Sequence, residues 1–236
     1  MSAQTAIVTP AGRRDKAMTD TIADCSARIQ AAIRAFAEGS GDVVAEMKAL
    51  RDAVLPKKGK QTPFTAILMA VRNVSAKTQA AYQRAEEETS ICLTKLVEAL
   101  KGRGVSADYI KAHLKLQNDC SKSALMLAAI FDHGKAVKLL LDHGADMFDV
   151  ESGGSMSALH FAALNGSSDA LQVMLSFGDT ATVAVPLEIL VKMYRLAGNL
   201  KADETIEAVT GLISDYTAAK HDGVDIVDLV MEEEDA

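Results

Sequence analysis

A repeat of 34 residues constrains this chain more than any other feature of its 236 residues. The phrase Ser123-Ala124-Leu125-Met126-Leu127-Ala128-Ala129 returns as Ser157-Ala158-Leu159-His160-Phe161-Ala162-Ala163. Each phrase leads into a polar turn, Asp132-His133-Gly134 or Asn165-Gly166. An apolar run follows, Val137 to Leu141 or Ala170 to Leu175, and then a glycine, Gly144 or Gly178. Leu125 and Leu159, Ala129 and Ala163, and Gly144 and Gly178 each lie 34 positions apart. A unit this short cannot bury its own apolar surface, so such units stack into a continuous core in which each touches only its neighbours. The paired alanines allow helices to approach closely, and the glycines are expected to end helices in the left-handed conformation. Composition agrees, because a chain that is 49% apolar with no Trp, four Tyr and six Phe favours packed helices over a β-sandwich.

The pattern resembles the ankyrin repeat, whose period is about 33 residues and whose signature is T-P-L-H-x-A. Ser123 and Ser157 stand where that signature has threonine, Ala124 and Ala158 where it has proline. Met126 takes the place of the histidine in the first unit, and His160 keeps it in the second. The caps survive and the rigidifying proline does not. The resemblance implies an all-α, ankyrin-like helical repeat solenoid with irregular capping helices, in which His160 bonds locally and ties neighbouring turns. Its structural positions here are Leu125, Ala128, Ala129, Gly144, Leu159, His160, Ala162, Ala163, Gly166 and Gly178.

Taken in order, residues 1–18 show no period and read as a disordered leader. Residues 19–56 read as a helix pair, a degenerate repeat or cap. Thr19 is its N-cap, Ile22, Cys25, Ile29, Ile33 and Phe36 lie on one helical face, and Gly39-Ser40-Gly41 forms the turn. Residues 61–121 read as a degenerate repeat opened by Thr62-Pro63, a capping residue followed by a proline tolerated at the first helical position. Phe64 to Gly104 spans 40 positions against 19 from Leu125 to Gly144. The excess, placed around Val74 to Ile91, reads as an extension of the outer helix or a separate helix before it. Its role is either a solvated strut or a partner-binding face. Around Tyr109 to Leu114 a helical turn is expected in place of the usual finger hairpin. Repeats at 122–156 and 157–183 follow, then a degenerate C-terminal repeat or cap at 184–218 and an acidic tail at 219–236.

The resemblance implies a module that binds a partner protein on its concave surface, made of finger tips and inner-helix faces. By position this selects Met147, Phe148, Asp149, Glu151 and Ser155 in the finger, and Phe131, Asp132, Leu164 and Asn165 on the adjacent helices. Phe148 is the expected anchor, because buried aromatics dominate such contacts; the alternative is that it packs within the finger.

Charge is uneven. Residues 1–60 carry ten basic and seven acidic groups, residues 61–200 thirteen and fourteen, and residues 201–236 two and eleven, giving +3, −1 and −9. This distribution makes no broad case for nucleic acid, and no apolar run approaches the ~20 residues of a membrane span. Cys25, Cys92 and Cys120 are odd in number and widely spaced, which suggests a reducing, cytoplasmic setting rather than a disulfide framework. His113, His133, His143, His160 and His221 show no i, i+4 zinc spacing. Cys120 near His113 lacks an orienting partner for a nucleophile, and no phosphate-binding glycine loop is present. The reading is therefore a non-enzymatic adaptor or scaffold without metal or cofactor. The alternatives are a bacterial effector secreted into a host cell, with the acidic end as part of its translocation signal, and a regulatory subunit or enzyme using the irregular helices of residues 19–120.

Overall fold

The computed structural model describes residues 10–56, 59–72, 79–180, 185–198 and 203–234; side chains are described for 21–56, 59–71, 80–177, 185–198 and 206–231. Twelve helices and no strand occur among the described residues. The only bridge described there is the isolated antiparallel pair Val150–Ser157. The helices are α1 (Pro10–Glu38), α2 (Val43–Val54), α3 (Pro63–Arg72), α4 (Gln79–Gly102), α5 (Ala107–Lys115) and α6 (Ala124–Ile130). They continue as α7 (Gly134–Asp142), α8 (Ala158–Asn165), α9 (Ser168–Thr180), α10 (Leu187–Ala197), α11 (Asp203–Lys220) and α12 (Ile226–Glu234).

Two rows run through the molecule. In the inner row α3 packs on α6, α6 on α8 and α8 on α10; in the outer row α4 packs on α7, α7 on α9 and α9 on α11. The small residues make the inner row close, for Ala128, Ala129, Ala162 and Ala163 are fully buried. Inner helices α3 and α6 start on a side-chain cap, whereas α10, which follows Pro186, has none. Thr62 Oγ1 accepts the N–H of Thr65 at 3.1 Å while Thr65 Oγ1 accepts the N–H of Thr62 at 2.8 Å. Ser123 Oγ accepts the N–H of Met126 at 3.3 Å, and the Met126 thioether, a weak acceptor, receives the N–H of Ser123 at 3.5 Å. Met126 thus fills the histidine's capping role. Asp132 and Gly166, 34 positions apart, both leave their helices in the left-handed region, at φ 53° and 67°. Gly104 and Gly144 do the same after the outer helices, at 72° and 87°.

The ends differ from the sequence reading. Helix α1 begins at Pro10, so residues 10–18 are helical rather than a disordered leader, and Thr19 lies inside the helix; residues 1–9 fall outside the described residues. Arg13 to Met18 are mostly good helix formers. The helix pair is not a repeat in the usual chain order. Here α1 packs on α4 in the outer row and α2 on α3 in the inner row, so the outer helix comes first. Contacts of Ser26 with Glu88, Gln30 with Lys95 and Phe36 with Arg103 set α1 parallel to α4.

The excess before the central repeats is an N-terminal extension of α4, continuous from Gln79; residues 73–78 lie outside the described residues. Its buried side, Ala81, Ala85, Glu88, Thr89 and Cys92, makes it neither a strut nor a free face, because α1 covers it. A helix, α5, replaces a finger hairpin as expected. Gly178 is not a terminator, since α9 continues through it to Thr180; without a left-handed residue or proline there, nothing stops the helix. The acidic tail folds as well: Ile226 and Val230 are buried as α12 packs on α10 and α11.

Candidate functional site

The loops that precede the inner helices form a laterally bonded row. At the N-terminal side Asp119 donates its N–H to the Lys60 carbonyl at 3.1 Å, and Lys60 donates its own to Asp119 Oδ1 at 2.6 Å. Next along the row, Gln117 Nε2 donates to the Val150 carbonyl at 2.8 Å. The same Gln117 accepts from the Ser152 N–H at 2.8 Å and the Ser152 hydroxyl at 2.6 Å. Last, Lys192 of α10 donates to the Ser155 carbonyl at 3.0 Å and to its hydroxyl at 2.8 Å. One glutamine side chain therefore holds the finger against the loop after α5 where two hairpins would otherwise share backbone bonds.

Two lysines beside the finger are matched by acids of the finger itself. Lys115 faces Asp149 at 3.6 Å. Lys122 pairs with Glu151, donates to the Cys120 carbonyl at 3.2 Å, and stands 4.5 Å over the Phe161 ring. Beside these pairs two aliphatic side chains stand exposed, Leu116 at 49% and Val150 at 48%, on the two loops that Gln117 joins.

Of the residues selected from sequence, Asp149, Glu151 and Ser155 lie in this row, and Leu164 and Asn165 close the end of α8, half-buried and exposed. Asn165 Nδ2 donates within its own helix to the Phe161 carbonyl at 2.8 Å. Four others serve the stack instead. Met147 is buried, and Phe148 is half-buried against the core, so it is not an exposed anchor; the chain after Asp146 turns inward as the Phe148 N–H donates to Asp146 Oδ1 at 2.9 Å. Phe131 is buried and its carbonyl accepts the Tyr82 hydroxyl at 2.5 Å. Asp132 reaches across to the next repeat, where its Oδ1 accepts the Ala170 N–H at 2.8 Å. Burial, with Asp169 and Glu86 nearby, pushes its carboxyl up to about 6.

The reading from sequence missed Leu116, Gln117, Val150, Lys122 and Lys192. Val150 carried a signal, an apolar residue between Asp149 and Glu151 in a finger, but the larger Phe148 drew attention from it.

The two buried histidines are structural. His160 Nδ1 accepts the Ser157 N–H at 3.1 Å and lies 2.9 Å from its hydroxyl, the local bond expected; its Nε2 is buried and has no protein partner among the described residues. His133 sits between Tyr82 and Phe131, ring centroids 5.7 and 6.0 Å away. Burial lowers both imidazoles to about 4. No group of three His, Cys, Asp or Glu suited to a metal ion occurs among the described residues, and none of their helices is long and apolar enough to cross a membrane.

Paired inner and outer helices, stacked in register behind a row of loops, define a helical repeat solenoid. Residues 85–183 match the family model for ankyrin repeats, in three copies. Over these residues the chain consists of ankyrin repeats, a generally non-catalytic, protein-binding class of module. No curated protein and no solved structure matches the chain.

Proposed function

We propose that this protein is a non-catalytic adaptor that holds a partner protein along its row of loops, in the cytoplasm. Leu116 and Val150 supply the apolar centre of that contact. Asp149, Glu151 and Ser155 form its margin, and Leu164 and Asn165 lie one helix length away at the far end of α8, where a larger partner would extend the contact. The observation that carries this reading is the pairing of the surrounding charges: Lys115, Lys122 and Lys192 already have partners within the chain, while the two aliphatic side chains have none. Exposed apolar groups rimmed by satisfied polar ones are the anatomy of an interface centre.

The test is affinity purification from the source cells with the wild-type chain and with Leu116→Asp/Val150→Asp. Proteins retained by the wild type are expected to be lost from the variant, with helicity unchanged because both side chains face solvent. Retention of the same proteins by the folded variant overturns the assignment. Three cysteines that are all unpaired, two of them buried, support a reducing compartment. Fractionation of the source cells checks it.

A further inference from the structure

The apolar face of the last helix extends beyond the part that the body covers. Ile226 and Val230 are buried against the body and Leu229 packs beside them. About 100° round the helix from them, Val227 and Met231 stand 42% and 57% exposed. Residues four apart lie one above the other on a helix, so these two form a single stripe.

The stripe lies in an acidic field. Asp222, Asp225 and Asp228 are exposed around it, and the sequence continues as Glu232-Glu233-Glu234-Asp235 within a segment of net charge −9. Among the described residues the Arg195 guanidinium donates to the Val230 carbonyl at 3.5 Å, and Lys220 ends α11.

We infer that the outer face of α12 docks a basic amphipathic helix of a partner protein. Its apolar residues cover Val227 and Met231, and its Lys or Arg side chains meet the aspartates. The acidic field disfavours the phosphates of nucleic acid and of anionic lipids, and an acidic partner would gain no complementary charge. This surface is separate from the loop row and does not depend on it.

Titrating the full chain into a fluorescent Leu/Lys amphipathic peptide of roughly 14 residues, about four turns, tests the proposal. A control peptide keeps every Lys and carries Ser for Leu. The Leu/Lys peptide is expected to bind at least ~10-fold more tightly than the control, and Val227→Gln/Met231→Gln to weaken it by about 10-fold with unchanged helicity. Raising salt to about 0.5 M should also weaken it by roughly 10-fold, since the aspartates are exposed to screening. Leu116→Asp/Val150→Asp is expected to bind the peptide as the wild type does. Equal affinity for both peptides, or for wild type and the α12 variant, reduces the site to bulk charge and overturns the proposal. So does a wild-type dimer in sedimentation that the α12 variant abolishes, because a second copy would then cover the face.

Discussion

The central repeats and the N-terminal layer solve the same packing problem with different means. Between α6 and α9 the contacts are short-range and repeated: buried alanines, a Ser cap at each inner helix, a left-handed exit at Asp132 and Gly166. The layer of α1 and α2 is joined to the stack by pairs far apart in sequence. Ser26 donates to the buried Glu88 carboxylate at 2.5 Å, where Arg84 also meets it at 2.5 Å. Arg103 gathers the turn between α1 and α2 by pairing with Glu46, donating to the Gly41 carbonyl at 3.0 Å and to the Phe36 carbonyl at 3.3 Å, and stacking over the Phe36 ring at 4.7 Å. Repetition specifies the middle, and individual polar anchors specify the end.

In a one-dimensional stack, damage to the middle propagates while damage to an end layer stays local. Leu125→Ala, at a position 1% exposed on α6, breaks the comparison most severely. It should cost about 3 kcal/mol by the usual range for a buried leucine and lower the denaturant midpoint of the whole chain. A folded stack with only local loss of protection would show the repeats to be independent.

Acid comes next, and it also acts on the middle. His133 and His160 are lowered to about 4 in the folded chain from ordinary values near 6.5. The unfolded chain therefore binds more protons between those limits, and stability falls as pH drops from 6.5 to 4. Asp132, raised to about 6, has the opposite sign: the folded chain takes up its proton first as pH falls through 6, which offsets part of the loss. A net loss on the order of 3 kcal/mol between pH 7 and pH 4 follows. Asp132→Asn, which keeps an acceptor for Ala170 and tolerates the left-handed turn, should steepen that loss. Thermal midpoints across this range decide it, and an unchanged slope in the variant would remove Asp132 from the account.

The same contrast explains what could be read from the sequence. A period is legible because it compares the chain with itself, so Leu125, Ala129, Gly144 and their counterparts located the repeats, and the cap of Thr62 located α3. The reversed order of α1 and α2 was not legible, because periodicity places Ile22 to Phe36 on one face without saying which row that face joins. The same holds for α12: the sequence shows residues 219–236 as an acidic tail, and only packing on α10 and α11 separates Ile226 and Val230 from Val227 and Met231. In the finger, size was mistaken for exposure. Phe148 turns inward, and the smaller Val150 is left outside.

At the end layer the expected effect is smaller and confined. Ser26→Ala removes the hydroxyl from Glu88 and leaves that buried carboxylate with one fewer donor, at a cost of about 1–2 kcal/mol. Hydrogen exchange should quicken over residues 21–54 while α6 to α9 keep their protection. Quickening that spreads equally into the central repeats would show that the N-terminal layer is part of their cooperative unit.

The finest comparison is within the repeats, at two glycines 34 residues apart. Gly144 follows α7 at φ +87°, and an added Cβ would lie 3.1 Å from the Lys111 side chain. Because that neighbour is a flexible lysine stem, the cost of Gly144→Ala comes mainly from the backbone, about 1 kcal/mol for a side chain in the left-handed region. Gly178 holds the same place in the pattern but lies inside α9, where glycine is itself the costly choice. Gly178→Ala should stabilise by roughly 0.5–1 kcal/mol through helix propensity. Opposite signs at equivalent positions, read from the two denaturant midpoints, would show that the second repeat has lost its terminator and lengthened its outer helix; a loss at both positions would return Gly178 to the role the repeat assigns it.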